Sequence, residues 1–317
     1  MSSFTSHKFK GYGKLILFGE HFVVYKAPAL VGAVAAVTTC DVEVSNAEWS
    51  HGLIVEDNRP AVPGYKVEKS EEMLEGTQLV LKHMGWDTTK KGLKITLGGD
   101  LCCVSGIGAS AANCVSLARA LAAAQGRSLT EEEINAAGYE GEKGYHGTPS
   151  GIDNTASTYG GVLKFQRTDG APIFETKKFA QPALIVYAST GITASTTKVV
   201  ADVKAKKEAD EAWFAGLMAR YMEICEQAPE ALRTCDWPLI GRLADTNHAI
   251  LQELTVSCKE LDDLVLAARA AGALGAKMSG TGRGGLMWAI CADKVSQDAV
   301  HAALSKLAPT VWKTEFA

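Results

Sequence analysis

The order of apolar and polar residues along the chain predicts a mixture of strands and helices. Residues 93–97 alternate between apolar and polar types, and 31–44 is a β-prone run that ends in alternation, so both segments are typical of strands. Apolar residues recur at helical spacing within 70–86, as they do in an amphipathic helix. The remaining predicted strands are 14–18, 183–187, 286–291 and 310–316, and the remaining predicted helices are 110–124, 131–145, 197–227, 237–254, 259–271 and 294–306.

Two prolines limit the predicted helices. Pro149 follows the helix 131–145, and Pro229 is expected to end the long charged helix 197–227, because proline disfavours helix at and before its own position. Strands and helices segregate along the chain more than they alternate, which favours an α+β fold over a doubly wound sheet. The two halves differ in their pattern of elements, and we predict two domains, 1–178 and 179–317.

Composition narrows the class of protein. The 317 residues are 47% hydrophobic and 21% charged, which is typical of a globular protein large enough for two domains. A net charge of −4 argues against nucleic-acid binding as the main function. No apolar run approaches the roughly 18 residues of a membrane span, and 1–10 lacks the apolar core of a secretory signal. The 8 cysteines include no C-x-x-C pair, so we expect a cytoplasmic protein with reduced thiols and no membrane partner.

Gly106 and Gly108 belong to a stretch of small residues, 105–112, that leads directly into the predicted helix 110–124. A glycine-rich turn at a helix N-terminus binds anions, because unpaired N–H groups and the positive end of the helix dipole point to the same place. The stretch therefore predicts a phosphate-bearing ligand, and a tight turn without a ligand is the alternative. The P-loop pattern G-x-x-x-x-G-K-[ST] is absent.

A dinucleotide fingerprint, G-x-G-x-x-A, does fit Gly106, Gly108 and Ala111. That fingerprint requires a second strand after the helix, and this strand ends in an acidic residue that binds the ribose. Thr130 and Glu133 instead form a capping-box pattern, which predicts that the next element is another helix. The sequence therefore argues against a dinucleotide-dependent oxidoreductase.

A second glycine-rich loop, 277–285, and the charged residues between the two loops suggest phosphoryl transfer. Glu142 lies on a predicted helix and Asp153 follows a Pro-Gly break, so their carboxylates can converge on one cleft. Lys14, at the start of the first predicted strand, supplies a cation. Phosphoryl transfer requires Mg²⁺ held by oxygen ligands, a cation near the phosphates and a carboxylate near the attacking hydroxyl.

Three segments together resemble the motifs of the GHMP family of small-molecule kinases, named for galactokinase, homoserine, mevalonate and phosphomevalonate kinases. In chain order the segments are 13–25, 105–112 and 279–285. The resemblance covers the whole chain in the family's order, which makes it far more specific than any single loop. Within the family, Gly19-Glu20-His21 and the segment 146–154 are most similar to those of the mevalonate kinases.

The resemblance implies an enzyme that uses ATP and Mg²⁺ to phosphorylate the primary hydroxyl of mevalonate, in isoprenoid and sterol biosynthesis. Asp153 matches the catalytic carboxylate near that hydroxyl, and Lys14 is implied to lie beside it. Ser110 and Glu142 match the Mg²⁺ ligands.

The resemblance also implies which residues contact the two substrates. Glu20, His21 and Thr196 match positions that face mevalonate, and the latter two come from different halves of the chain, which would place mevalonate between the domains. Backbone N–H groups of the second motif are implied to hold the nucleotide phosphates. The residues of that motif are Ser105, Gly106, Ile107, Gly108, Ala109, Ser110 and Ala111.

The implied fold is an N-terminal α+β domain with a left-handed βαβ crossover and a C-terminal ferredoxin-like domain, in a monomer or a homodimer. Alternatives are another kinase of the family, such as a phosphomevalonate or homoserine kinase, and a nucleotide-binding sensor without catalysis. The joint presence of Lys14, Ser110, Glu142 and Asp153 argues against the sensor.

Two positions depart from the family pattern. The second motif often contains a Ser-Ser pair, where this chain has Ala109 followed by Ser110, so that one hydroxyl is lost and the implied magnesium ligand is kept. In the third motif, Arg283 stands where many relatives have glycine. Its guanidinium is expected either to reach a phosphate or to cover the loop.

Overall fold

The computed structural model describes residues 9–45 and 52–316. The chain divides into two compact units: unit 1 comprises Met1–Lys14 and Ala36–Gly160, and unit 2 comprises Leu15–Ala35 and Gly161–Ala317. The linear boundary at 178/179 stays a prediction. Most of 1–10, on which the expectation about a secretory signal depends, lies outside the described residues. Within the described ranges, no helix is both long and apolar enough to cross a membrane.

Unit 1 is a small sheet covered by helices. Its strand β3 pairs in parallel with β4, and β4 pairs antiparallel with β2. The first two strands of the chain contribute residues to both units. The elements are β1 (Phe9–Phe18), β2 (Ala29–Val44), β3 (Leu53–Asp57), α1 (Tyr65–Glu68), α2 (Ser70–His83), β4 (Leu93–Gly99), α3 (Ala109–Ala124), α4 (Glu131–His146) and α5 (Ile152–Tyr159).

Close helix packing in unit 1 fixes the position of α4. A side chain on Gly144 of α4 would lie 2.4 Å from the backbone nitrogen of Gly76 on α2, so these helices approach as closely as they do because both residues are glycine. Helix α3 is buried along almost its whole length and lies in the core of the unit. The predicted capping box of Thr130 and Glu133 is confirmed at the start of α4.

Unit 2 contains an antiparallel sheet in the order β10-β7-β9-β8. With its helices this sheet has the β-α-β-β-α-β succession of a ferredoxin-like fold, as predicted. Strand β5 pairs with both β2 and β6. The elements are a 3₁₀ turn (Phe22–Tyr25), β5 (Val162–Gln166), β6 (Ile173–Lys177), β7 (Ala183–Ser189), α6 (Thr196–Ala209), α7 (Glu211–Thr234), α8 (Trp237–Glu253), α9 (Lys259–Ala270), β8 (Gly275–Ser279), β9 (Leu286–Cys291), α10 (Lys294–Leu304) and β10 (Thr310–Phe316).

The prediction of one helix over 197–227 was wrong in two respects. The helix is divided at Asp210, whose carboxylate accepts the backbone N–H of Trp213 at 2.9 Å and so caps α7. In addition, α7 continues past Pro229, the residue expected to end it. Buried residues lie on both sides of this proline, among them Ala228 and Leu232, and their packing outweighs the local preference of proline.

Candidate active site

The second motif forms the predicted glycine-rich turn at a helix N-terminus. Helix α3 begins at Ala109, and both Gly106 and Gly108 have positive φ angles, of 96° and 77°, that favour glycine. A Cβ atom on Gly108 would lie only 2.9 Å from Cγ of Lys14. The absence of a side chain therefore lets the loop approach the lysine of the first motif.

Lys14 and Asp153 are brought together within unit 1. The backbone N–H of Lys14 donates to the carbonyl of Ile107 at 2.7 Å, which attaches strand β1 to the second motif. Asp153 lies in the first turn of α5, after Gly151, whose φ of 84° reverses the chain. The Lys14 Nζ atom lies 3.3 Å from Oδ1 of Asp153, and the side chain of Lys14 is only 8% exposed while that of Asp153 is 30% exposed. A cation and a partly accessible carboxylate thus form one pair.

Glu142 points into the same cluster from α4. Its side chain is 1% exposed, and burial raises its pKa to about 8, with a further contribution from the negative charge of Asp153. The Ser110 hydroxyl and the Lys14 ammonium oppose this rise. Among the described residues, the buried Oε1 atom of Glu142 has no hydrogen-bond partner. The carboxylate is therefore less well compensated than a buried acid normally is.

His146 is a member of this cluster to which sequence reasoning gave no role. It follows Glu142 by four residues on α4 and so lies on the same helix face, with Nε2 3.7 Å from Oε2 of the glutamate. One ligand atom each of Glu142, His146 and Asp153 lie within 4.8 Å of one another. Burial lowers the pKa of His146, which favours the neutral imidazole. The i, i+4 spacing was the signal in the sequence that could have indicated this residue.

The donor set of this cluster fits a small divalent cation. It offers the Glu142 and Asp153 carboxylates and the Ser110 hydroxyl, and oxygen atoms of this kind are the ligands that Mg²⁺ prefers. A bound cation would give the unpartnered Oε1 of Glu142 a partner and would offset the cost of keeping that carboxylate charged in a buried position. The residues present therefore fit magnesium.

The buried side chain of Arg59 bonds to the second motif at the start of α3. Its guanidinium is held by Asp57 through hydrogen bonds of 2.9 and 2.7 Å, and its Nη1 atom donates to the carbonyl of Ala109 at 3.2 Å. Arg59 is 5% exposed. Because Asp57 fixes the guanidinium, this contact holds the first residue of α3 in place.

A second polar cluster, which we call the Thr281 cluster, lies in unit 2 and consists of His21, Thr196 and Thr281. The His21 Nε2 atom lies 2.8 Å from the carbonyl oxygen of Thr281. Because a carbonyl only accepts hydrogen bonds, Nε2 carries the proton and Nδ1 is an acceptor. Burial lowers the pKa of His21, which keeps the ring neutral. Within the described part of the chain, the buried Nδ1 atom has no partner.

Thr281 joins the two residues that were predicted to face mevalonate. Thr196 is the first residue of α6, and its Oγ1 atom lies 2.7 Å from Oγ1 of Thr281. His21 adopts a φ of 61°, a strained conformation for a residue with a side chain. Thr281 lies within the third motif, but no role was predicted for it, because a threonine in a glycine-rich loop carries no signal of its own.

Glu20, the third residue predicted to face the substrate, is placed differently. Its side chain is 0% exposed, and Oε1 accepts a hydrogen bond from the equally buried Nζ of Lys277. Nζ also donates to the carbonyl of Met278 at 2.7 Å. The contact of Glu20 with a substrate stays a prediction, since the partners seen here belong to the protein itself.

Arg283 connects the third motif to neighbouring elements of unit 2, and its expected contact with a phosphate or cover of the loop stays a prediction. Its Nη1 atom donates to Asp202 of α6 at 2.5 Å, and its backbone N–H donates to Val256 at 2.7 Å. Its φ is 52°. The glycine beside it is also required, because a Cβ atom on Gly282 would lie 2.0 Å from the carbonyl oxygen of Val256. The guanidinium thus ties the third motif to the helix that begins with Thr196.

The chain is similar to known proteins over most of its length. The family model for the GHMP kinases N terminal domain matches residues 72–161, and the model for the GHMP kinases C terminal domain matches residues 229–310. A mevalonate kinase of Thermococcus onnurineus is 31% identical over 322 aligned positions, which cover 95% of this chain and 93% of the relative.

Solved structures give the same picture. The crystal structure of L. major mevalonate kinase in complex with R-mevalonate is 44% identical, with a TM-score of 0.94, and the match covers 98% of this chain and 96% of that one. The Methanococcus jannaschii mevalonate kinase is 20% identical with a TM-score of 0.82 over 100% of both chains, a similarity that bears on the fold alone. On these matches and on the three motifs, the chain belongs to the GHMP kinase family.

Proposed function

We propose that the protein transfers the γ-phosphoryl group of ATP to the primary hydroxyl of mevalonate, giving 5-phosphomevalonate and ADP. One observation carries the reaction type: the Asp153 carboxylate lies 3.3 Å from the ammonium of Lys14, and the backbone of Lys14 is bonded to that of Ile107 in the second motif. The choice of substrate follows from the similarity to mevalonate kinases, above all the 44% identity to one solved with R-mevalonate.

Asp153 and Lys14 are proposed as the catalytic pair. The partly exposed carboxylate of Asp153 would accept the proton of the primary hydroxyl, or orient that hydroxyl, as its oxygen attacks the phosphorus atom of the γ-phosphate. Lys14 would stabilise the negative charge on the attacking oxygen and on the phosphoryl group in transfer. The P–O bond to ADP breaks as the bond to the substrate oxygen forms. The lysine would therefore stabilise the charge of the phosphoryl group throughout its transfer.

The second motif is proposed as the phosphate site. The N-terminal residues of α3 have backbone N–H groups without helical acceptors, and the helix dipole adds a positive potential there. Arg59 would keep this turn rigid through its bond to Ala109. The proposed nucleotide-binding residues are Ser105, Gly106, Ile107, Gly108, Ala109, Ser110 and Ala111.

Magnesium is proposed to bind at Ser110 and Glu142. The support is the buried, unpartnered Oε1 atom of Glu142 and the raised pKa of its carboxyl group. A magnesium ion held there would offset the negative charge of the nucleotide phosphates. The hydroxyl of Ser110 would add a neutral oxygen ligand on the first turn of α3.

Mevalonate is proposed to contact His21 and Thr196. The Nδ1 atom of the neutral His21 is an acceptor, so it suits a hydroxyl of the substrate and does not suit its carboxylate. The hydroxyl of Thr196, already paired with Thr281, can donate or accept a second hydrogen bond. Together these groups would recognise the hydroxyl groups of the acceptor.

We also propose a cytoplasmic protein that acts early in isoprenoid and sterol biosynthesis, as a monomer or a homodimer. A cytoplasmic setting suits the 8 cysteines, which all lie among the described residues and form no disulfide there.

The assignment is tested by coupling ADP release to a spectrophotometric reporter with four acceptors: mevalonate, phosphomevalonate, homoserine and galactose. Mevalonate should support turnover that depends on ATP and magnesium, and the other three should not. Faster turnover of phosphomevalonate or homoserine would move the protein to another substrate within the family. Tight ATP binding without turnover of any acceptor would favour a sensor.

A further inference from the structure

The fully buried ion pair between Glu20 and Lys277 has no part in the proposed catalysis. Both side chains are 0% exposed, and no other ion pair within 9–45 and 52–316 has both partners enclosed to this degree. Lys277 Nζ also bonds to the Met278 carbonyl, and the backbone amide of Gly280 faces the Glu20 carboxylate. The pair therefore links the turn after β1 to β8 and to the start of the third motif.

Stability alone is a poor account of this pair. Removing two charges from water costs free energy that their attraction in the interior does not reliably return, and apolar residues of similar size often serve stability as well or better. The pair does have a defined geometry, because the lysine has fixed partners on two sides, the Glu20 carboxylate and the Met278 carbonyl. A geometric role is therefore the better explanation.

His21 is the residue that this geometry controls. It follows Glu20 directly, and its ring is bonded to Thr281, which lies four residues after Lys277. The ion pair and the His21–Thr281 hydrogen bond thus connect the same two segments at neighbouring points. His21 has a φ of 61°, a conformation that persists only where its surroundings impose it.

We propose that Glu20 and Lys277 are positioning residues that hold the His21 ring in the orientation set by its bond to Thr281, from which it contacts the substrate. In this role Glu20 acts through His21. This inference rests on the proposed function, because it takes His21 as a substrate contact. It predicts that the pair affects mevalonate recognition separately from protein stability.

The test compares single and double variants of the full chain. Lys277→Met and Glu20→Leu each leave an unpaired buried charge, so both should lower the melting temperature strongly. The double variant Glu20→Leu/Lys277→Met removes both charges and should recover a melting temperature close to that of the parent. Its KM for mevalonate should nevertheless rise about tenfold or more, because small displacements of a contact residue are costly, while its KM for ATP stays within about twofold.

A conservative variant and a matched control sharpen the result. Glu20→Gln keeps an oxygen acceptor for Lys277, so its mevalonate KM should lie between those of the parent and the double variant. The control, Arg220→Met/Glu253→Leu, removes an exposed pair of unit 2 with hydrogen bonds of 2.9 and 2.7 Å, and it should change neither KM.

Two outcomes would overturn the proposal. One is a folded double variant with the mevalonate KM of the parent. If the double variant does not fold, the second outcome is decisive: a stable Glu20→Gln protein whose mevalonate KM is unchanged. Failure of the proposed function is distinguishable from both, because in that case the parent protein itself would not turn over mevalonate.

Discussion

The two polar clusters of this protein are compensated in different ways. In unit 1 the carboxylates of Glu142 and Asp153 share Lys14 as their nearby cation, and the buried Oε1 atom of Glu142 lacks a partner among the described residues. In unit 2 Glu20 and Lys277 form a one-to-one pair, although Oε2 of Glu20 also has no hydrogen-bond partner among the described residues, and His21 is neutral. The first cluster has two acids for one lysine, which raises the pKa of Glu142 to about 8, whereas the second has one acid for one lysine.

This difference indicates what each cluster can bind. A buried acid that has no lysine of its own gives up its proton more readily when a cation binds beside it, which fits a magnesium site next to a phosphate loop. A neutral cluster with a free acceptor at His21 suits a hydroxyl group. Under the proposed function, phosphoryl transfer is assigned to unit 1 and recognition of the acceptor to unit 2.

The largest effect is expected from Asp153→Asn in unit 1. The amide cannot accept the proton of the substrate hydroxyl, and assistance of this kind is worth about 10²–10⁴ in rate. We expect kcat to fall by roughly that factor, with the protein still folded because the Asp153 side chain is 30% exposed. Asp169→Asn, at a side chain 95% exposed, is the control. A near-normal kcat in a folded Asp153→Asn protein would remove this residue from the mechanism.

The sequence predicted those parts of the fold that depend on neighbouring residues. The glycine turn before α3 and the capping box of α4 depend on neighbouring residues, so local patterns predicted them correctly. The division of the helix at Asp210 and the continuation of α7 past Pro229 depend on caps and distant packing, which periodicity does not contain.

The site shows the same division between local and distant information. Lys14, Glu142 and Asp153 stand in recognisable motifs, and the structure brings them together. The partners Lys277 and Thr281 were not predicted, because their contacts with Glu20 and His21 span 257 and 260 positions of the chain. Only the fold places such residues side by side.

Glu142→Gln tests the role of the second acid of unit 1 as a magnesium ligand. The change keeps the size of the side chain and removes its charge, so magnesium should bind less tightly. Loss of even an outer-shell partner of a metal costs about 10–100-fold in affinity, and the magnesium concentration for half-maximal rate should therefore rise at least about tenfold. The mevalonate KM should change less. Glu140→Gln, two residues earlier on α4 and paired with Lys143, is the control. Superimposable magnesium titrations of parent and Glu142→Gln would exclude this ligand.

His248 of unit 2 is a buried histidine next to the Glu20–Lys277 pair, and its neutral state can be tested through the dependence of stability on pH. Its Nδ1 atom accepts the backbone N–H of Met278 at 3.3 Å, next to Lys277, and burial lowers its pKa from 6.5 to about 4. Between these values the unfolded chain binds a proton that the folded protein does not, so the free energy of unfolding should fall as pH decreases from about 6.5 to 4.

The size of this effect is at most about 3 kcal/mol. His248→Gln should flatten the dependence of stability on pH in this window, whereas His83→Gln, at an exposed histidine of α2, should not. Chemical unfolding at several pH values measures the difference. Parallel curves for the parent and His248→Gln would show that this histidine does not contribute.

The smallest effect is expected from Thr196→Ala, which removes one neutral hydroxyl from the Thr281 cluster. A lost hydrogen bond between neutral groups costs about 0.5–1.5 kcal/mol, so the mevalonate KM should rise several-fold while the ATP KM stays nearly constant. If the hydroxyl binds the ground state and the transition state equally, kcat should change little. Thr197→Ala, at the next exposed position of α6, is the matched control. A Thr196→Ala protein whose ATP KM rises while its mevalonate KM does not would move Thr196 to the nucleotide and reverse the division between the two clusters.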